Sequence, residues 1–453
     1  LTPCPNLLDR IWKDRPAPPD APAFAHPIEF AGEKSGDKRR RMAAILKDAG
    51  QSACVLTLPD SICWLLNIRG NDIAYNPIVQ AFAILHADAR VSLFADPEKF
   101  EALGPDPSID VAPKSVFADA LTSLSGSVRV DKATAPLAVS DILKGAGIDV
   151  AWGDDPCILA KAKKNDAELR GMRDAHLRDA AAMVRFLAWL DREAPGGGVT
   201  EIAAVKALEG YRRATNSLRD ISFDTISGAG PNGAIIHYRV TESTNRAIKP
   251  GELYLVDSGG QYPDGTTDIT RTVVIGDPTD EHRACFTRVL QGMIAISATR
   301  FPRGLAGRDI DALARAALWR AGLDYDHGTG HGVGAYLSVH EGPQRISRIS
   351  DVPLDEGMIL SNEPGYYREG AFGIRIENLI VVEKAPSLGD DRDHLSFETL
   401  TFVPIDRRLV DRALMAPWEI EWLNSYHHTV LETVGPTLDG DDLDWLRQAT
   451  RPI

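Results

Sequence analysis

Apolar and polar positions change period several times along the chain, and each change marks an expected element. Between residues 32 and 161, short apolar runs of strand length (54–58, 91–94 and 128–130) alternate with charged, helix-like stretches such as 38–46. This pattern predicts a small α/β domain, and it contains no metal or nucleophile motif. A new unit opens near Lys163. Asn165 with Glu168 three residues later has the form of a capping box. Leu169, Met172, His176, Ala180, Met183, Val184 and Leu187 then recur at helical spacing, until Pro195 and three glycines end the helix. A second helix is expected from Thr279, with Phe286, Val289, Leu290, Met293 and Ile294 on one face. Two shorter helical patterns follow Pro417, one bearing Trp418, Trp422 and Tyr426, the other Leu443, Trp445 and Leu446. The first 27 residues hold seven prolines and read as a linker or wrapping arm. Four segments are therefore expected: an arm at 1–31, an α/β domain at 32–161, a larger domain at 162–408 and a helical extension at 409–453. No repeat of solenoid length is present.

Composition narrows the class. A hydrophobic content of 44% with 25% charged residues describes a soluble globular protein. No apolar run is long enough to span a bilayer, and Leu1–Arg10 lacks the regions of a secretory signal. The chain also lacks an initiator Met, which points to processing or to sequence upstream. A net charge of −14 without a basic stripe argues against nucleic acid, and Arg39-Arg40-Arg41 reads as a solvated helix face. The five cysteines are odd in number and form no CxxC pair, as for free thiols in the cytoplasm.

Three stretches carry chemistry. In residues 252–276 two strand-like runs flank the turn Pro263-Asp264-Gly265, so a hairpin should bring Asp257 near Asp268. Two adjacent carboxylates require a shared proton or a cation, unless both are solvated turn acids. Residues 361–382 repeat the device: Glu363 precedes a proline and a glycine-containing loop, and an alternating strand follows. Ile374 and Ile376 share one face of that strand, Arg375 and Glu377 the other; the plain alternative is a surface Arg375–Glu377 ion pair. In residues 327–343, His327, His331 and His340 lie among alternating glycines that let backbone approach closely. A dinucleotide loop is disfavoured there, because no apolar strand precedes the glycines and no helix pattern follows. Together Asp257, Asp268, Glu363 and Glu377 supply four negative charges, and His331 adds a neutral nitrogen. Two divalent cations would balance this set. Its oxygen-rich character suits Mn²⁺, with Zn²⁺ and Co²⁺ as alternatives.

On these residues the chain resembles the creatinase/methionine aminopeptidase superfamily, and within it Xaa-Pro aminopeptidases of the long cytosolic type. The likeness extends to NLLDRIWKDRP at the start, WLLNIRGNDIAYNP at 64–77 and the closing WLNSYHHTV. It implies a creatinase-like α/β domain followed by a "pita-bread" catalytic domain with a curved antiparallel sheet. It also implies removal of an N-terminal residue preceding proline from a peptide. Asp257 would chelate one metal ion, His331 and Glu363 the other, and Asp268 and Glu377 would bridge both. A hydroxide shared by the metals would attack the scissile carbonyl. His237 would line the substrate pocket, while His327 and His340 would contact substrate and stabilise the tetrahedral intermediate. Arg375 would stand behind the bridging glutamate.

One departure is plain: long-type members carry three domains, and only the second and third are represented here, which leaves a homodimer open. Arg69, in the NIRG segment, is a residue that would reach the cleft from the smaller domain. The other histidines, including His427 and His428 on the expected C-terminal helix, read as structural or surface groups. The nearest competing reading is a prolidase acting on Xaa-Pro dipeptides. Methionine aminopeptidase fits less well, because it usually lacks the preceding domain, and creatinase should lack the ligands. A metal-free binding module is the alternative from another class.

Overall fold

The short apolar runs of the N-terminal third become strands because they are β-branched or aromatic and buried. The computed structural model describes residues 7–389 and 391–453. In it these runs join one six-stranded mixed sheet, ordered Ile109–Ala112, Val91–Phe94, Phe82–His86, Ala53–Leu56, Ser127–Val130, Asp149–Trp152. Ala53–Leu56 runs antiparallel to Phe82–His86 and parallel to Ser127–Val130. The helix Ser35–Asp48 packs Met42 and Leu46 against this sheet. Arg39 lies on the same stripe, three residues before Met42, so the solvated-face expectation holds only for Arg40 and Arg41. Arg39 is buried and its guanidinium pairs with Asp106 at 2.9 Å. The arm joins this domain through a short ladder, Phe24–Ala25 with Ile68–Arg69, while residues 1–6, including Cys4, lie outside the described residues. The other four cysteines are free and buried.

The second unit opens with the helix Asp166–Glu193, capped by the predicted box at Asn165 and Glu168. The helix Asp280–Ser297 starts after Thr279, whose hydroxyl accepts the His282 amide. Against these helices lie two antiparallel sheets. One has three strands, with Leu253–Ser258 between Ile226–Ala229 and Ile269–Val274. The other has six, ordered Phe301–Pro302, His394–Thr399, Asn378–Lys384, Ile359–Asn362, Gly330–Gly332, Glu341–Ile346. The two helices and the three-stranded sheet share a core that includes Phe186, Leu190, Tyr254, Val256, Leu290 and Met293, whereas Leu360, Ile380 and Val382 of the six-stranded sheet belong to a separate one.

Two expectations are refined. The hairpin of residues 252–276 forms, but Gly260–Tyr262 bends away to pair with Gly265–Thr266 in a separate ribbon. The alternating strand of residues 372–377 is interrupted: Phe372–Arg375 pairs with Gly365–Arg368, whereas Asn378–Lys384 belongs to the six-stranded sheet. Ile376 and Glu377 sit at the crossing, where the Glu377 amide donates to Thr270 O at 3.1 Å.

The C-terminal helices Pro417–Val434 and Gly440–Ala449 cover the back of this unit. Tyr426 stacks on Trp422, and its hydroxyl meets the buried Arg271 at 3.0 Å. Arg271 in turn donates to the Glu377 carbonyl at 2.6 Å, so the extension braces a residue of the cavity. No helix among the described residues is long and apolar enough to cross a membrane.

Candidate metal centre

The strand Leu253–Ser258 carries Asp257 as its penultimate residue, cross-strand from Thr270, and Asp268 lies two residues before Thr270. Glu363 follows the strand Ile359–Asn362, and Glu377 precedes Asn378, the partner of Asn362. Two antiparallel pairs thus each place two carboxylates at one end. His331 comes from Gly330–Gly332, which fits between its neighbours because its glycines lack side chains. A Cβ on Gly330 would come within 1.9 Å of the Ser361 carbonyl oxygen.

The carboxylates and the imidazole converge. One ligand atom each from Asp268, His331 and Glu377 lie within 4.8 Å of one another. His331 Nε2 is 3.5 Å from Asp268 Oδ2 and 3.5 Å from Glu363 Oε1. Its Nδ1 lies 2.9 Å from the Gly332 carbonyl, which can only accept, so Nδ1 carries a proton and Nε2 faces the acids. Thr270 Oγ1 donates to Glu377 Oε2 at 2.8 Å, and Ser361 Oγ donates to Glu363 Oε1 at 3.0 Å.

Electrostatics show what this group lacks. Burial, then the charges of Asp257 and Glu363, hold the Asp268 carboxyl well above the usual range. Burial, then Asp268 and Glu363, do the same to Glu377, and burial raises Glu363 against the opposing influence of His331 and Arg375. Asp257 Oδ1 is buried without a hydrogen-bond partner. The nearby cation is Arg375, 2% exposed, which donates to Asp257 Oδ2 at 2.6 Å. One guanidinium cannot balance four carboxylates, three of them buried and Glu363 half-buried. The donor set, an orphaned carboxylate oxygen and an imidazole Nε2 aimed at the acids thus fit divalent cations.

All the predicted site residues line one cavity of about 1000 Å³. His340 meets the His331 ring edge-on, with centroids 4.2 Å apart. His327 Nδ1 donates to the Gly328 carbonyl, and its Nε2 accepts from the Tyr367 hydroxyl at 2.9 Å. Burial, then Arg375, lower the His327 pKa to about 4; lost hydration, then His331 and His237, lower that of His340 to about 4. His237 lines the same cavity, with its neighbours Ile236 and Tyr238. Two expectations change. The buried ion pair of Arg375 is with Asp257, not Glu377, which it reaches only through Thr270 Oγ1. Arg69 does not line the cavity.

Sequence reasoning passed over Tyr367, which links Arg375 (2.7 Å) to His327; its alternation with Glu363 along an extended segment was the available signal. It also passed over Glu201, whose fully buried carboxylate accepts from Ala229 N, Asn232 Nδ2, Tyr238 Oη and Arg246 N and so holds the segment bearing His237. No local pattern marks that role.

Comparison with known proteins gives the chain's family. The profile of metallopeptidase family M24 matches residues 170–384, flanked by a creatinase/prolidase N-terminal domain at 14–168 and a C-terminal region of the M24 peptidases at 393–453. Aminopeptidase P2 of Arabidopsis thaliana is 42% identical over 99% of this chain and 69% of its own length. A probable Xaa-Pro aminopeptidase P of Laccaria bicolor is also 42% identical, over 99% of this chain and 72% of its own. The crystal structure of an X-prolyl aminopeptidase from Caenorhabditis elegans, described as a cytosolic enzyme with a di-nuclear active site, superposes with a TM-score of 0.93. It is 36% identical and covers 99% of this chain and 76% of its own. An Xaa-Pro dipeptidase from Bacillus anthracis shares the fold at a TM-score of 0.65 and 24% identity, over 82% of this chain and 99% of its own. The chain belongs to metallopeptidase family M24, in its aminopeptidase P group.

Proposed function

We propose that this enzyme is a metalloexopeptidase that hydrolyses the bond between an N-terminal residue and a penultimate proline of a peptide. The observation that carries the reading is the convergence of Asp268, His331 and Glu377 within 4.8 Å in a cavity whose other walls bear histidines. Asp257, Asp268, His331, Glu363 and Glu377 would hold the two metal ions, with Mn²⁺ the preferred ion. When bound, the two cations balance the carboxylates, polarise a carbonyl and acidify water.

The chain's own groups do the rest. Arg375 fixes the Asp257 carboxylate from behind, and Thr270 fixes that of Glu377. His331, with a proton on Nδ1, turns Nε2 toward the acids that would hold a cation. His340 is neutral at pH 7 and can donate one N–H to the oxyanion that develops at the scissile carbonyl. His327 is neutral as well, and its Nε2 is held by Tyr367. Phe223, Ile226 and Ile236 offer an apolar wall to the proline ring, while the acidic cluster attracts the free amine of the substrate.

The cytoplasm is the expected compartment, supported by the free cysteines and by the cytosolic C. elegans relative. A preference for dipeptides is the second reading, favoured by the shared fold of the B. anthracis dipeptidase. The ligand assignment is tested with Asp268→Ala and Glu377→Ala, which should fold yet lose bound metal and activity. Undiminished metal content in both would overturn it.

A further inference from the structure

His340 makes no hydrogen bond through its ring among the described residues; its neighbour there is the edge of His331. Backbone must therefore place it, and that backbone is the loop 333–340 between the strands Gly330–Gly332 and Glu341–Ile346. The loop bridges the two domains. Leu337, 1% exposed, packs into a core otherwise built from N-terminal residues such as Trp64, Ile68, Ile78 and Val79. Tyr336 adopts φ +51°, a conformation that a bulky residue keeps only when held.

Gln261 and Thr266 hold the Leu337 backbone from the catalytic domain, and Arg69 holds Ala335 and Tyr336 from the N-terminal one. The Arg69 side chain is 2% exposed and donates to Tyr336 O at 2.5 Å and Ala335 O at 3.2 Å, as well as to Cys63 O and Ile68 O. No carboxylate pairs with it among the described residues. A buried cation satisfied only by carbonyls is costly, and packing alone would be served as well by an apolar side chain. Asn76 of the same domain donates to Ser338 Oγ at 3.0 Å. On the far side of His340, Glu341 is gripped by Lys161 at 2.8 Å and by Lys164. The histidine thus sits between two anchors, Ser338 and Glu341.

We propose that Arg69 of the metal-free N-terminal domain is a positioning residue that sets His340 against the substrate by clamping the loop 333–340. This inference rests on the aminopeptidase reading of the site and explains why the small domain accompanies the catalytic one: it supplies geometry, not reacting groups.

The test is a double-mutant comparison on the metal-loaded full chain, with an Xaa-Pro peptide as substrate. Arg69→Met should lower kcat about tenfold or more with KM little changed, as expected for a misplaced catalytic group. The same substitution should cost almost nothing further in a His340→Ala background, yet its full factor in a His327→Ala background. An equal factor in all three backgrounds would show a merely structural role and overturn the proposal. Should Arg69→Met fail to fold, Asn76→Ala removes a single bond to the loop and should show a smaller effect with the same dependence on His340. If the unsubstituted chain cleaves no Xaa-Pro bond, the aminopeptidase reading fails, and the clamp is judged by NMR of the histidine-labelled protein. Arg69→Met should then shift the His340 ring signal and leave that of His282 in place. An unmoved His340 signal would overturn the clamp.

Discussion

Replacing Arg375 by Met tests the electrostatic logic of the centre, because it deletes the guanidinium while keeping most of the apolar volume. Arg375 is 2% exposed and makes three contacts that Met cannot: Asp257 at 2.6 Å, Tyr367 at 2.7 Å and Thr270 at 3.1 Å. Breaking a buried ion pair by removing one partner costs about 3–5 kcal/mol. Burial is nearly complete, so solvent screening does not reduce that figure. In chelated protein the substitution should therefore destabilise by about 4 kcal/mol, since Asp257 is left as an unbalanced charge. In metal-loaded protein a cation compensates Asp257, and the loss should shrink to the two neutral hydrogen bonds, about 1–3 kcal/mol. Denaturant unfolding of both proteins, with chelator and with saturating Mn²⁺, measures the difference directly. Metal affinity should also fall about 10–100-fold, because the group that orients a ligand is gone. Equal destabilisation with and without metal would refute the coupling of Arg375 to a cation site.

Two further predictions concern the supports of the site. His427 is fully buried and accepts the Ile405 amide at Nε2, and burial, with Arg271 and Arg407, lowers its pKa from 6.5 to about 4. Below pH 6.5 the unfolded chain binds a proton that the folded state refuses. Stability is thus complete above pH 6.5 and lost as pH falls toward 4, at about 1.4 kcal/mol per unit. His427→Gln should flatten this acid limb in denaturant melts at pH 7 and 5, and an unchanged limb would contradict the assignment. Glu201→Gln places an amide NH₂ against a ring of N–H and O–H donors. It should cost about 1–3 kcal/mol and raise KM through the His237 segment; a variant with native stability and KM would refute that support.

Legibility in the sequence followed the range of the interactions. The cap at Asn165 and the helix start near Thr279 are local signals, and the structure has the box at Asn165 and a helix from Asp280 capped by Thr279. The nearness of Asp257 to Asp268 was readable because a turn between two β-branched runs permits little else. The convergence of both hairpins with the glycine-flanked histidines was visible as charge that needed balancing, and all these side chains do line one cavity. What the sequence hid was tertiary. The break before Asn378 arises because one segment serves two sheets, which periodicity cannot register. Arg69 and Arg39 looked like cleft or surface cations, yet their partners lie 266 and 67 residues away. Glu201 sits at a helix start where an acid is routine, so its four-donor role leaves no trace in composition.

The most direct test of the central claim is to strip the enzyme with chelator, restore Mn²⁺, and follow release of the first residue from an Xaa-Pro-Pro tripeptide beside an Xaa-Pro dipeptide. The proposed function predicts no turnover in chelator and Mn²⁺-dependent cleavage that favours the tripeptide. A preference for the dipeptide would move the assignment to a prolidase. Cleavage that persists in chelator, or a metal-loaded chain that cleaves neither peptide, would contradict it.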